Sequence, residues 1–133
     1  MINIEGLTSK KKGDIALGSA IAYFVSHQYT VAIPLTDSQS YDLVVEKEGT
    51  FNRVQIKFTS RKNQWGQYEA SLVSTGWKWN DGKNFKNFDN TESDLLFIQT
   101  VEGSCYLIPS SLVTVKSGIV ISSQKYEQYK VVV

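Results

Sequence analysis

The sequence predicts an α/β fold in which a mixed central sheet has its apolar face covered by one N-terminal helix. Three features predict it. Apolar residues recur at helical spacing near the N-terminus, two β-rich arms flank a polar turn with Gly, and the C-terminal third carries further β-rich runs cut by Gly and Pro. The 133 residues suit one domain, 1–133, large enough to bury most of its surface alone.

Thr8 or Ser9 can cap a helix, and Lys12 to His27 then carries Leu17, Ala20, Ile21 and Phe24 on one stripe. Ala20 and Gly18 would let another element approach its backbone. Asp14 falls in the predicted first turn, where its charge suits the helix dipole, and at the edge of the apolar stripe. It is either a simple N-terminal acid or a ligand facing a site. His27, with no second His in the chain, reads as a surface residue near the helix end.

Tyr29 to Leu35 is a short strand whose Pro34 marks an edge, and Thr36 to Ser40 is a polar loop of turn formers. The stretch Tyr41 to Phe58, YDLVVEKEGTFNRVQIKF, is the predicted hairpin. A turn centred on Glu48 and Gly49 sets Glu46 opposite Phe51, Val44 opposite Arg53 and Asp42 opposite Gln55. Strand side chains alternate, so Asp42, Gln55 and Lys57 share one face, while Leu43, Val45, Val54, Ile56 and Phe58 share the other. Packing alone gives no reason to gather a carboxylate, an amide and an ammonium on one face of an apolar ribbon. Glu46 shares that face but lies about 13 Å along the strand from Asp42, too far to serve the same ion.

After the hairpin, Thr59 to Gln67 is polar and basic. Arg61 and Lys62 suit phosphate contacts there, and Trp65 suits stacking or wedging; an ordinary solvated loop is the competing reading. Tyr68 to Ser74 alternates as a strand. Thr75 to Asn90 has no clear period and interleaves Trp77, Trp79, Phe85 and Phe88 with Lys78, Lys83, Asn84 and Lys86. Such a segment suits base and phosphate recognition, or a loop pinned by its aromatics. Lys11 and Lys12 complete the basic residues expected to contact DNA. Leu95 to Val101 and Ser104 to Ile108 read as paired strands turned at Gly103, Ser110 to Val113 as a helical turn, and Gly118 to Ile121 and Lys130 to Val133 as short β runs.

Composition removes whole classes. With 41% hydrophobic and 20% charged residues the chain is neither disordered nor collagen-like. No run approaches a membrane span, no signal-peptide core is present, and a lone Cys excludes an internal disulfide and fits a reducing cytoplasm. A net charge of +1 means that any DNA-binding surface must arise from local clustering.

An Asp, a hairpin, then an acid or Gln, one apolar residue and Lys resembles the PD-(D/E)XK nuclease core, with Asp42 and Gln55-Ile56-Lys57 as its halves. Within that superfamily the chain is similar to bacterial group I intron homing endonucleases that carry Gln at the second acidic position. The likeness runs from about Lys11 to about Val113 and includes KKGDIALGSAIAYF, YTVAIPLTDSQSYDLVV, VQIK, SDLLFIQ and YLIPSSLV. Tyr41 stands where the motif has Pro, and Gln55 removes a negative charge from the site. The resemblance implies a restriction-endonuclease-like fold and Mg2+-dependent, site-specific hydrolysis of double-stranded DNA. Asp42, Gln55 and Asp14 would hold the metal, and Lys57 would position the attacking water. Cutting both strands would take a homodimer or homotetramer. Two alternatives stay open: a structure-selective nuclease such as a Holliday junction resolvase, and a catalytically silent DNA-binding module of the same fold.

Overall fold

The computed structural model of the chain describes residues 1–75 and 85–133. Thr8 has extended backbone and its hydroxyl accepts a hydrogen bond from Lys11 N at 3.2 Å, which starts helix α1 (Ser9–Ser26) by satisfying a donor that helix starts leave free. The helix thus begins earlier than its apolar stripe suggests, and Asp14 is its sixth residue. That corrects the expected first-turn position: Asp14 lies in the second turn, where the helix dipole has largely faded.

Among the described residues ten strands follow: β1 (Thr30–Ala32), β2 (Leu43–Lys47), β3 (Thr50–Thr59), β4 (Glu69–Ser71), β5 (Ser74–Thr75), β6 (Phe85–Lys86), β7 (Leu95–Thr100), β8 (Cys105–Pro109), β9 (Gly118–Val120) and β10 (Lys130–Val131). Six of them form the main sheet in the order β1-β2-β3-β7-β8-β10. Its neighbours are antiparallel except β3 and β7, which run parallel, so the sheet is mixed. Strand β4 pairs with β9, and β5 with β6.

The hairpin keeps the predicted register, Glu46 opposite Phe51 and Val44 opposite Arg53. Glu48 and Gly49 both take positive φ, 53° and 83°. That is the two-residue turn whose twist matches its strands. Gly49 adopts it freely.

One face of the sheet packs Leu43, Val45, Val54 and Phe97 under Ala20 and Phe24 of α1, all fully buried. Phe58 departs from the expected set: it packs at the rim of the opposite cluster, as Ile2 and Ile4 also do. The opposite face is not open either. Leu96, Ile98 and Ile108 are covered by Tyr68, Ala70 and Leu72 from the β4 arm and by Ile119 and Ile121 around β9. Alternation along the β4 arm, apolar at 68, 70 and 72, makes that second layer. A Cβ on Gly118 would meet Ala70 O at 2.9 Å, so glycine lets β9 close on β4, whereas Gly18 on α1 faces open space. This layer covers β7 and β8; on the hairpin's own second face Gln55 is buried, Asp42 stays exposed, and Glu46, Arg53 and Lys57 are half-buried.

At the start of β7, Asp94 clips the parallel pair together. Its Oδ2 accepts from Arg53 N at 2.7 Å and Arg53 Nε at 3.1 Å, and its Oδ1 accepts from Arg53 Nη2 at 3.2 Å. The Arg53 hydrogen bonds hold the Asp94 carboxyl below its ordinary value. Among the described residues no helix is long and apolar enough to cross a membrane.

Candidate active site

Strands β2 and β3 stay paired back to Leu43 opposite Val54. One residue earlier, Asp42 N donates to Val54 O at 2.8 Å, and its carboxylate turns onto β3, where Oδ2 accepts from Ile56 N at 2.8 Å. The side chain takes over a β3 donor just where the ladder ends.

That turn brings Asp42 into a cleft of about 410 Å³ with Gln55, Ile56 and Lys57, walled by Gln39, Ser40, Tyr41 and Ser74. Gln55 is buried, and Lys57 is half-buried with Nζ donating to Val73 O at 3.5 Å. Asp42 is exposed at the mouth of the cleft, yet the surrounding protein strips enough water from it to push its carboxyl up. The Ile56 N–H and the charge of Lys57 oppose that shift without cancelling it. Desolvation likewise pushes the Lys57 ammonium down, opposed by Asp42. Each charge is under-compensated by the other.

Asp14 reaches the same place from α1: with Lys10, Leu17 and Ile56 it lines a smaller cleft of about 180 Å³ that also touches Asp42. Asp42, Gln55 and Lys57 are thus brought together and Asp14 adjoins them. Among the described residues no group of three or more His, Cys, Asp or Glu is arranged to hold a metal ion. The oxygen donors present are two carboxylates and an amide. Hard divalent cations such as Mg2+ accept that kind of donor and complete their shell with water and phosphate oxygens. An Asp42 charge left partly unsatisfied is what such a cation would neutralise, so the donor set fits.

The expected DNA contacts divide. Lys11 is exposed, and Lys12 and Arg61 line a second cleft beyond Lys57. Lys62 sits 5.1 Å over the Tyr68 ring. Trp65 is 75% exposed at the tip of a turn pinned by Asn63, whose Oδ1 accepts from Trp65 N and Gln67 N, both at 2.9 Å. Trp77, Lys78, Trp79, Lys83 and Asn84 lie outside the described residues.

Lys86 is engaged otherwise than expected: its Nζ donates to Glu92 Oε2 at 2.6 Å and to Ser40 Oγ at 3.3 Å, while Ser40 Oγ donates to Glu92 at 2.5 Å. This three-way clasp ties the loop before Asp42 to the far wall. Sequence reasoning missed it, because partners 52 residues apart leave no local pattern.

A family model described as PD-(D/E)XK endonuclease matches residues 7–132. Among solved structures the chain is similar to a bacterial homing endonuclease, I-Ssp6803I, with 26% identity and a TM-score of 0.72 over 91% of this chain and 82% of that one. No curated protein matches it.

Proposed function

The chain belongs to the PD-(D/E)XK endonuclease family, and from that premise we propose that it is a Mg2+-dependent, site-specific endonuclease of double-stranded DNA, of the intron-homing kind. The observation that carries the reading is the shared cleft of Asp42, Gln55 and Lys57, with Asp14 adjoining Asp42. Nucleases of this family generally use divalent metal ions. Here Asp42, the Gln55 amide oxygen and Asp14 would hold one. When bound, a divalent cation supplies polarisation of a phosphoryl oxygen and acidification of water.

The chain's own residues do the rest. Ile56 N–H fixes one oxygen of Asp42 and leaves the other free to face the cation. Lys57, held toward Val73 O, positions the attacking water and offsets charge gathering on the phosphoryl oxygens. Water adds to phosphorus as the bond to the leaving oxygen breaks. Lys11, Lys62 and the exposed Trp65 serve as contacts to the duplex around the site. Among the described residues each chain has one such cleft, so cutting both strands calls for at least two copies, a homodimer or homotetramer, acting on DNA in the cytoplasm.

A catalytically silent binding module is favoured by one observation, the neutral amide of Gln55 in the cleft beside Asp42 where the family motif has a second acid. One assay decides. Supercoiled plasmid, a four-way junction and the intron-free locus of the gene are each incubated with the protein and Mg2+ or EDTA. Mg2+-dependent cutting of the locus, lost in Asp42→Ala and Lys57→Ala, supports homing. Cutting of the junction alone shows a structure-selective enzyme, and binding with no cutting shows the silent module.

A further inference from the structure

A second cleft, of about 450 Å³, opens on the far side of Lys57 from the first. The two clefts share Ile56 and Lys57, so Lys57 forms the wall between them. The second is lined from α1 by Ser9 and Lys12 and from the hairpin beyond β3 by Arg61 and Glu69. Among the described residues its charged groups are therefore Lys12, Lys57 and Arg61 against the carboxylate of Glu69.

Glu69 does not cancel Arg61. Their separation is 3.9 Å with side chains 69% and 37% exposed, a contact that solvent weakens. Its effect is to keep the guanidinium beside the cleft. Among the described residues, three cations facing one carboxylate leave an excess of positive charge in a cleft that adjoins the catalytic one at Ile56 and Lys57. Among the described residues no acidic side chain other than Glu69 lines this cleft.

A strand whose scissile phosphate lies against Asp42 and Lys57 has its next phosphate one nucleotide along, on the other side of Lys57 or away from the protein. We propose that the second cleft is the binding site for the backbone phosphate adjacent to the scissile one, with Lys12 and Arg61 as its two contacts. The proposal rests on the nuclease reading, and it assigns this pair to a single phosphate. A guanidinium and an ammonium on one phosphate give orientation as well as charge. They fix which bond reaches Lys57.

The salt dependence of binding tests that count. Affinity for a 30-base-pair duplex of arbitrary sequence is measured by fluorescence anisotropy in EDTA, across about 50 to 200 mM salt, where each neutralised phosphate contributes about 0.9 to the slope of log affinity against log salt. Lys12→Gln and Arg61→Gln are compared singly and together, with Lys130→Gln on β10 as control. Because the pair serves one phosphate, the double variant should lose about 0.9 from the slope in total and the control nothing. A loss near 1.8 would assign the residues to separate phosphates, and no loss would empty the cleft of phosphate. Either result overturns the proposal.

Position is tested after the cut is mapped on the locus. A methylphosphonate next to the scissile bond should raise KM for the wild type to the double variant's level, and leave the double variant unmoved. Equal effects on both proteins would overturn the assignment. A slope change in a protein that cuts nothing would leave the cleft standing and sink the nuclease reading instead.

Discussion

Asp42 and Asp94 are the same residue in nearly the same backbone setting, and they end in opposite electrostatic states. Each stands just before a strand that flanks β3, and each accepts an N–H from β3, Asp42 from Ile56 at 2.8 Å and Asp94 from Arg53 at 2.7 Å. Asp94 then meets the Arg53 guanidinium in a two-point contact, and its carboxyl is held below the ordinary range. Asp42 faces Lys57, itself desolvated, and its carboxyl is pushed up. The difference teaches that the second partner, not the strand position, separates a structural clip from a site that still has charge to give. A carboxylate whose compensation is complete has nothing left for a cation.

The sharpest way to break that contrast is to neutralise each acid in turn. Asp42→Asn keeps an oxygen for Ile56 N–H but removes the charge. Cleavage should fall by at least about 100-fold, with a melting temperature at or above that of the wild type. Asp94→Asn should do the reverse. Losing the charged contacts to a 39% exposed pair should cost about 1–2 kcal/mol, or about 5 °C in melting temperature. Cleavage below that temperature should be kept. Thermal denaturation and a plasmid-cutting assay read both; equal destabilisation by the two variants would make Asp42 a clip as well.

The contrast also marks what the sequence could reveal. The Asp42 side of it was readable because a hairpin is local: the turn at Glu48-Gly49 fixes register, and period two then fixes which side chains share a face. Helix α1 was readable for the same reason, to within three residues of its start. The Asp94 side was not, since its partner Arg53 lies 41 residues away and no spacing rule links them. Nor was the second apolar layer. Its strands β4 and β9 are short and far apart in sequence, so no local pattern shows that they cover Leu96, Ile98 and Ile108. Phe58 followed that layer rather than the helix cluster. The Lys86–Glu92–Ser40 clasp escaped likewise, being held by tertiary contacts alone.

Gln55→Glu sharpens the comparison from the other direction by returning a charge to the cleft. Gln55 is only 5% exposed, so a carboxylate there raises the repulsion on Asp42 when no cation is present and strengthens the hold on one when it is. The Mg2+ concentration for half-maximal cleavage should drop about tenfold, equivalent to about 1.4 kcal/mol. The melting temperature in EDTA should fall and should recover when Mg2+ is added. An unchanged Mg2+ requirement would remove residue 55 from the metal's neighbourhood.

The smallest effect is the most specific, because the two acids should respond to pH with opposite sign. Asp94 has a folded value below its ordinary 3.8; its stabilisation is present above the ordinary value and is lost as pH falls through the depressed one. Asp42 has a folded value above 3.8, so its contribution is fully present below the ordinary value and is lost as pH rises through the raised one. On acidification the two partly offset each other in the wild type. Removing Asp42's share in Asp42→Asn should therefore steepen the fall of melting temperature between about pH 6 and 3, and Asp94→Asn should flatten it. Cleavage should follow Asp42 and not Asp94, falling as Asp42 takes up a proton, because the protonated acid cannot hold a cation. Melting curves of the three proteins across that range test the signs: flattening in both variants would mean that the folded state favours ionisation at Asp42 as it does at Asp94, and the cleft would lose the unsatisfied charge that makes it a site for a metal ion.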